Sequence, residues 1–192
     1  MDLMIDLETL GKSPRAVFPR IGWARFDPDE KPGTIESSGV IRVDIDDCLR
    51  CGLVVDGSTI RWWLAQEEKA RAEMREVGLP LLSALMDLTT IFSRNDRLLQ
   101  KTKRVWSRGP DFDHAILRNA FTAVGFGEPW SYNAGRDMRT LEELFPPGKW
   151  PEDNDHTAEG DARRQAVVVQ VCFEKKRNLE KLAAIGRDEV GG

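Results

Sequence analysis

A chain of 192 residues with 41% hydrophobic side chains suits one domain with a real core, and no apolar run approaches the ~20 residues that a membrane span needs. A net charge of −4 argues against a generally basic nucleic-acid binder, so attraction to a polyanion has to come from local basic patches or metal ions. Three cysteines are an odd count and poor material for a disulfide framework; with no basic leader before an apolar stretch at the N-terminus, a cytoplasmic protein without a membrane partner is expected.

Residues 3–8 (LMIDLE) read as a first strand, 20–27 (RIGWARFD) as a second and 34–44 (TIESSGVIRVD) as a third. The turn DPDEKPG at 27–33 predicts a hairpin between the last two, and so an antiparallel opening. Cys48 and Cys51 form a C-x-x-C with no second pair or histidines nearby, which reads as two small, partly buried side chains. Ser58 is the expected cap of a helix TIRWWLAQ, followed by helical stretches over 67–77 and 79–95, with Pro80 in a first turn. A short strand is expected at 104–107, an amphipathic helix at 111–125 ending near Gly125, and a strand or helix entry at 136–141. Residues 145–155 read as a Pro/Gly-rich loop, 157–185 as the last helix and 186–192 as a flexible tail, so that 1–185 form one domain. Strands first, then helices alternating with strands, predict an α/β fold: a mixed sheet with helices packed against it.

Asp6 and Glu8 stand where a buried strand would take Val or Ile. Residues i and i+2 of a strand share a face, so the two carboxylates project together at the strand's end. Like charges this close repel and lose hydration, and a hard divalent cation turns that repulsion into coordination. A strand-end D-x-E is also common as ordinary surface. More acids follow: Asp111, a ready helix N-cap; Asp113, one residue pair further on; and Asp161, after His156. Five residues on one helix turn by about 140°, so His156 is expected in the loop before the last helix and Asp161 in its early turns. His114 faces away from Asp113 on a helix and reads as a surface residue or one that supports the site from behind.

These stretches resemble the three exonuclease motifs of the DEDDh 3′–5′ exonucleases: D-x-E-T at the first strand, F-D at the start of a middle helix, and H-x-x-x-x-D at the last helix. The nearer resemblance is to the branch holding phage exonuclease A and the mycobacterial exoribonuclease AS. It is carried by STIRWWLAQEEKAR (58–71), VWSRGPDFDHAILRNAF (105–121) and WSYNAGRDMRTL (130–141), and runs from about residue 2 to 170. The resemblance implies a ribonuclease-H-like mixed five-stranded sheet flanked by helices. It implies Asp6, Glu8, Asp113 and Asp161 as ligands of two Mg2+ or Mn2+ ions, and His156 as general base. The only tyrosine, Tyr132, lies far from the histidine motif, which sets the sister DEDDy group aside. A two-metal hydrolysis that releases 5′-mononucleotides from single-stranded DNA or RNA is implied, the sugar staying open, with a homodimer by analogy.

Substrate contacts are expected from Thr9, Trp62, Trp63, Arg108, Arg136 and Arg139. Of two adjacent tryptophans on a helix, one is expected to be buried and the other nearer the surface, where it can stack on a base; the alternative is that both serve packing or a subunit contact. The basic run 94–109 (Arg94, Arg97, Lys101, Lys103, Arg104, Arg108) either steers a phosphate backbone or is a solvated face. Arg136 or Arg139 can instead pair with Asp137. Three rival readings remain: an inactive nucleic-acid-binding module, a small-nucleotide phosphohydrolase, and a globular protein whose acids fall at element ends by chance.

Overall fold

Strands β1 (Asp2–Glu8), β2 (Arg20–Phe26) and β3 (Ile35–Arg42) pair antiparallel, with the turn at 27–33 reversing the chain between β2 and β3. β4 (Val105–Ser107) and β5 (Gly135–Asp137) add to the other side of β1 in parallel, giving the order β3-β2-β1-β4-β5. The structure, a computed structural model, describes residues 1–93, 103–149 and 157–190. Between β3 and β4 lie α1 (Ile45–Arg50), α2 (Gly57–Leu64), α3 (Glu68–Glu73) and α4 (Leu81–Ser93). α5 (Asp113–Ala123) joins β4 to β5, and α6 (Met138–Leu144) and α7 (Ala158–Val190) follow. The mixed five-stranded sheet flanked by helices is the one expected. Among the described residues, no helix is long and apolar enough to cross a membrane.

The period of β1 sorts the helices onto two faces. Leu3, Ile5 and Leu7 point one way and pack with Ile21, Ile41, Val105 and residues of α4 and α5, among them Leu85, Leu88, Ile116 and Leu117. Met4 points the other way, with Ala24, Phe26 and Trp106, under Met138 of α6 and Ala162, Ala166, Val169 and Cys172 of α7. β1 is thus covered on both faces, as a central strand of a partly parallel sheet has to be. Arg25, fully buried in β2, donates to the Ile91 carbonyl at 2.8 Å and to Glu36 at 3.0 Å. Its charge closes the C-terminal end of α4, where a cation is favoured.

Several local expectations are corrected. α1 was not foreseen: six residues are too few to show a period, although Asp44 caps it by accepting from Asp47 N at 2.7 Å. The Asp47 carboxylate in turn accepts the Leu81 N–H at the start of α4, at 2.7 Å. Cys48 and Cys51 fall on and just after α1 as free thiols. Asp56, not Ser58, caps α2, and its carboxylate accepts from Ser58 N at 2.8 Å. Asp111 does not cap α5. The turn before that helix is closed by backbone bonds from Phe112 N and Asp113 N to the Gly109 carbonyl, and Phe112 stands at the N-cap without a side-chain bond. α5 ends as expected at Gly125, whose φ of +80° suits glycine; Gly125 N and Phe126 N donate back to the Thr122 and Phe121 carbonyls. α7 runs on to Val190, past the expected end at 185.

The first turn of α7 lies directly on β2. A Cβ added at Gly22 would overlap the carbonyl of Ala158 and stand 2.8 Å from Glu159 N. These are backbone atoms and have nowhere to swing. Gly22→Ala is therefore expected to cost about 3 kcal/mol or more in urea unfolding, the upper end of overpacking penalties. A loss under about 1 kcal/mol would show that α7 can shift outward freely.

Candidate active site

The acidic site follows from the same strand period. After Met4, the next side chains of β1 on the α7 face are Asp6 and Glu8. Asp6 pairs with Gly22 in the ladder, so the close approach at Gly22 sets the start of α7 beside it. Asp161, in the first turn of α7, completes a trio. Asp6, Glu8 and Asp161 each offer a carboxylate oxygen, and these oxygens lie within 4.8 Å of one another. Asp113 arrives from the opposite side. β1 pairs with β4 only as far as Met4, which leaves the Leu7 N–H beyond the ladder; Asp113 Oδ1 accepts it at 3.2 Å. The first residue of α5 is thereby held in the opening past the C-terminal ends of the parallel strands β1 and β4, where α/β sheets place their ligand sites.

Crowding of the acids is felt most at Asp6. Burial pushes the Asp6 carboxyl well above its usual range, and the charges of Asp113, Glu8 and Asp161 add to that; a hydrogen bond from Gln165 opposes it. Burial likewise raises Asp113 to about 6, against the Leu7 N–H and the nearby Arg139 charge. Such a set of hard oxygen donors, strained by mutual repulsion, fits a divalent cation better than it fits none. Two neighbours were not foreseen. Gln165 Nε2 donates to Asp6 Oδ1 at 2.6 Å, and Arg164 pairs with Asp161. Both lie in the polar run after the last motif; the spacing Asp161–Gln165, one helical turn, was the only available signal.

The family model for the 3′–5′ exoribonuclease Rv2179c-like domain matches residues 1–173. The chain belongs to that family. Among solved structures, E. coli exonuclease I in complex with a dA16 oligonucleotide matches with a TM-score of 0.64 and 17% identity, over 92% of this chain and 41% of that one. At this identity the likeness is one of fold, ribonuclease-H-like, and this chain spans well under half of the exonuclease I chain. No curated protein matches. The chain's fold is the one that its motifs implied.

Beside Glu8, at the end of β1, the chain has a cavity of about 450 Å3, lined among others by Leu7, Glu8, Thr9, Lys12, Trp62 and Phe112. The tryptophan pair divides as expected. Trp63 is buried and donates from Nε1 to the Thr9 carbonyl at 2.9 Å, while Trp62 is 55% exposed and meets it edge-on at 4.9 Å. Thr9 Oγ1 is turned to the Gly11 carbonyl at 2.9 Å. Phe112, at the mouth, was not singled out from sequence, because an aromatic beside a motif aspartate reads equally well as core.

The basic residues separate into different settings. Arg139 lies against Gly109, and its charge is felt at Asp113. Arg108 stands 3.8 Å from Glu142 and is half exposed. Arg136 is turned to the carbonyls of Asn133 and Gly135, at 2.7 and 2.8 Å. Asp137 caps α6, accepting from Arg139 N and Thr140 N. Arg104, from the basic run, has a structural partner in Asp2 at 2.7 Å and lies over Phe173. Arg94, Arg97, Lys101 and His156 lie outside the described residues. His114 is not at the surface: it is buried against Gly135 and Trp130, and burial followed by the Arg118 charge pushes its imidazole down to about 4.

Two outcomes are expected. Trp63→Ala should destabilise by about 3–5 kcal/mol in urea unfolding, as loss of a buried indole does, while Trp62→Ala should stay within about 0.5 kcal/mol of wild type. The second concerns pH. Asp6 and Asp113 both hold protons more tightly in the folded chain than in the unfolded one, and for Asp113 this means proton uptake on folding between the ordinary carboxylate range and about pH 6. In EDTA, the contribution of Asp113 to stability is present at low pH and is lost as pH rises through about 6. The urea midpoint at about pH 5 should exceed that at about pH 7.5, with the gap narrowed in Asp113→Asn. An equal gap in both proteins would remove Asp113 as its source.

Proposed function

We propose that this domain hydrolyses the 3′-terminal phosphodiester bond of single-stranded nucleic acid with the help of two divalent cations, releasing 5′-mononucleotides. The observation that carries the proposal is the convergence of Asp6, Glu8 and Asp161 within 4.8 Å, with Asp113 acting on Asp6 from the other side. RNA is the proposed substrate, because the matching family is described as exoribonuclease.

Asp6, Glu8, Asp113 and Asp161 are the residues that would hold the ions. Magnesium or manganese bound there supplies a Lewis acid that makes water acidic near neutral pH and offsets charge on the scissile phosphate and leaving oxygen. His156 takes the proton of the attacking water, a task suited to an imidazole whose ordinary pKa lies near neutrality. The water oxygen bonds to phosphorus, and the bond to the 3′ oxygen of the preceding nucleotide breaks. That oxygen takes up a proton from solvent water and becomes the 3′-hydroxyl of the shortened chain. The cavity beside Glu8 receives the terminal nucleoside, with Trp62 and Phe112 presenting ring surface to the base. Arg139, whose charge reaches Asp113, and Arg108, which precedes the turn into α5, would meet phosphates of the incoming strand.

Incubation of 5′-labelled single-stranded RNA and DNA with manganese, magnesium or EDTA tests this reading. A ladder shortened from the 3′ end, faster on RNA and absent in EDTA, is expected. Asp6→Asn and Asp113→Asn should each lower kcat by about 10³-fold, since several kcal/mol of charge stabilisation is removed. Full activity in both variants would overturn the ligand assignment. Cleavage of mononucleotides without shortening of the oligomer would favour a small-nucleotide phosphohydrolase. Trp62→Ala should raise KM by roughly 5- to 100-fold with a smaller change in kcat, the worth of one stacking contact.

A further inference from the structure

Two glutamines on α7 are almost completely buried, and they are treated differently. Gln170 has every polar atom engaged: Nε2 donates to the carbonyls of Asp27 and Thr34 at 3.0 and 2.8 Å, and Oε1 accepts from Gly33 N at 2.9 Å. It fastens α7 to the β2–β3 turn. Gln165 is 4% exposed and only half satisfied. Its Nε2 donates to Asp6 Oδ1 at 2.6 Å, but its Oε1 is buried without a hydrogen-bond partner among the described residues. Buried amides are normally satisfied on both sides, so an orphan acceptor beside three carboxylates points to a donor that arrives with a ligand.

We propose that Gln165 is a positioning residue for the cation site: it holds Asp6 through Nε2 and accepts, through Oε1, a hydrogen bond from a water that comes with the bound cation. This rests on the proposed use of the acids as cation ligands. Asp6 lies at the meeting of Asp113 on one side and Glu8 and Asp161 on the other, so the rotation of its carboxylate decides whether it faces both. One short hydrogen bond fixes that rotation. The donor's neutrality matters as much as its position. A Lys or Arg at 165 would hold Asp6 equally well but would also cancel charge that the cations are to meet. An amide orients the carboxylate and leaves its charge in place. Gln165 sits one helical turn after Asp161, so a single helix face carries one ligand and the device that aims another. Partners of this kind typically set cation affinity within a factor of 10–100.

The test uses Mn2+ alone, without substrate, on the whole chain. Manganese binding is followed by electron paramagnetic resonance, and thermal melting is recorded in EDTA and in Mn2+. Gln165→Met keeps the side chain's length and removes both polar atoms; it should weaken Mn2+ binding about 10- to 100-fold while melting remains cooperative. Gln165→Lys places a cation among the acids; it should melt higher than wild type in EDTA and gain nothing from Mn2+. A residue of purely structural importance would lower melting in both variants and leave Mn2+ affinity alone. Binding within twofold of wild type in both variants overturns the inference. Asp6→Asn is run beside them. If Asp6→Asn loses Mn2+ while the Gln165 variants keep it, only the role of Gln165 is wrong; if Asp6→Asn also keeps it, the cation site itself is wrong.

Discussion

The molecule depends on how closely α7 lies on β2. At Gly22 the helix backbone occupies the space that any side chain would need. Gly22 is the ladder partner of Asp6, so that approach places the first turn of α7 beside the acidic end of β1. Polar links then fix the helix start. Thr157 Oγ1 accepts from Gly160 N at 3.1 Å, Ser38 Oγ donates to Glu159 at 2.7 Å, and Arg163 donates to Ser38 Oγ at 2.9 Å. Asp161 lies between these anchors and has little freedom to leave its neighbours. A bulkier residue at 22 would lift the helix and open the trio without touching any of its members.

This geometry works against the stability of the ion-free chain. Four carboxylates meet around the end of one strand, and burial raises the proton affinity of at least two of them. The surrounding core absorbs the strain: β1 is packed on both faces, by α4 and α5 on one side and by α6 and α7 on the other. Two guanidinium groups meet the outer acids. Arg164 engages Asp161 and Arg139 acts on Asp113, while Asp6, in the middle, is met by an amide. The guanidinium groups thus sit with the outer acids, and the innermost acid keeps a raised proton affinity.

Much of this was legible in the sequence, and for identifiable reasons. Asp6 and Glu8 declared themselves by interrupting an apolar strand, and strand period alone placed them on one face. The tryptophan pair divided into one buried and one exposed ring because adjacent helical positions cannot share a core face. Other features had no local signal. α1 is shorter than the window in which a helical period shows. Asp111 has the composition of a cap, yet the turn at Gly109 had already used the N–H groups it would have served. For His114 helical phase left a surface place and a supporting one both open, and it is Trp130 and β5, beyond the end of its own helix, that cover it. Gln165 was hidden for the same reason, since its meaning depends on a contact across 159 residues of sequence.

The end of β1 also joins two features that look separate in the chain. Glu8 points toward α7 and the other acids, while the backbone of the next residue, Thr9, is held by the buried indole of Trp63 from α2. Alternation along a strand makes this unavoidable: consecutive residues serve opposite sides, so one short segment borders both the acidic cluster and the cavity. On the proposed reading, a nucleoside seated under Trp62 has its sugar next to Glu8, and the first phosphate beyond it falls among the four acids. The residues that α2 contributes to the cavity, Ser58, Thr59, Trp62 and Trp63, are held to that strand end by the bond from Trp63 to the Thr9 carbonyl, so on that reading the place of the base and the place of the phosphate are fixed by one short segment.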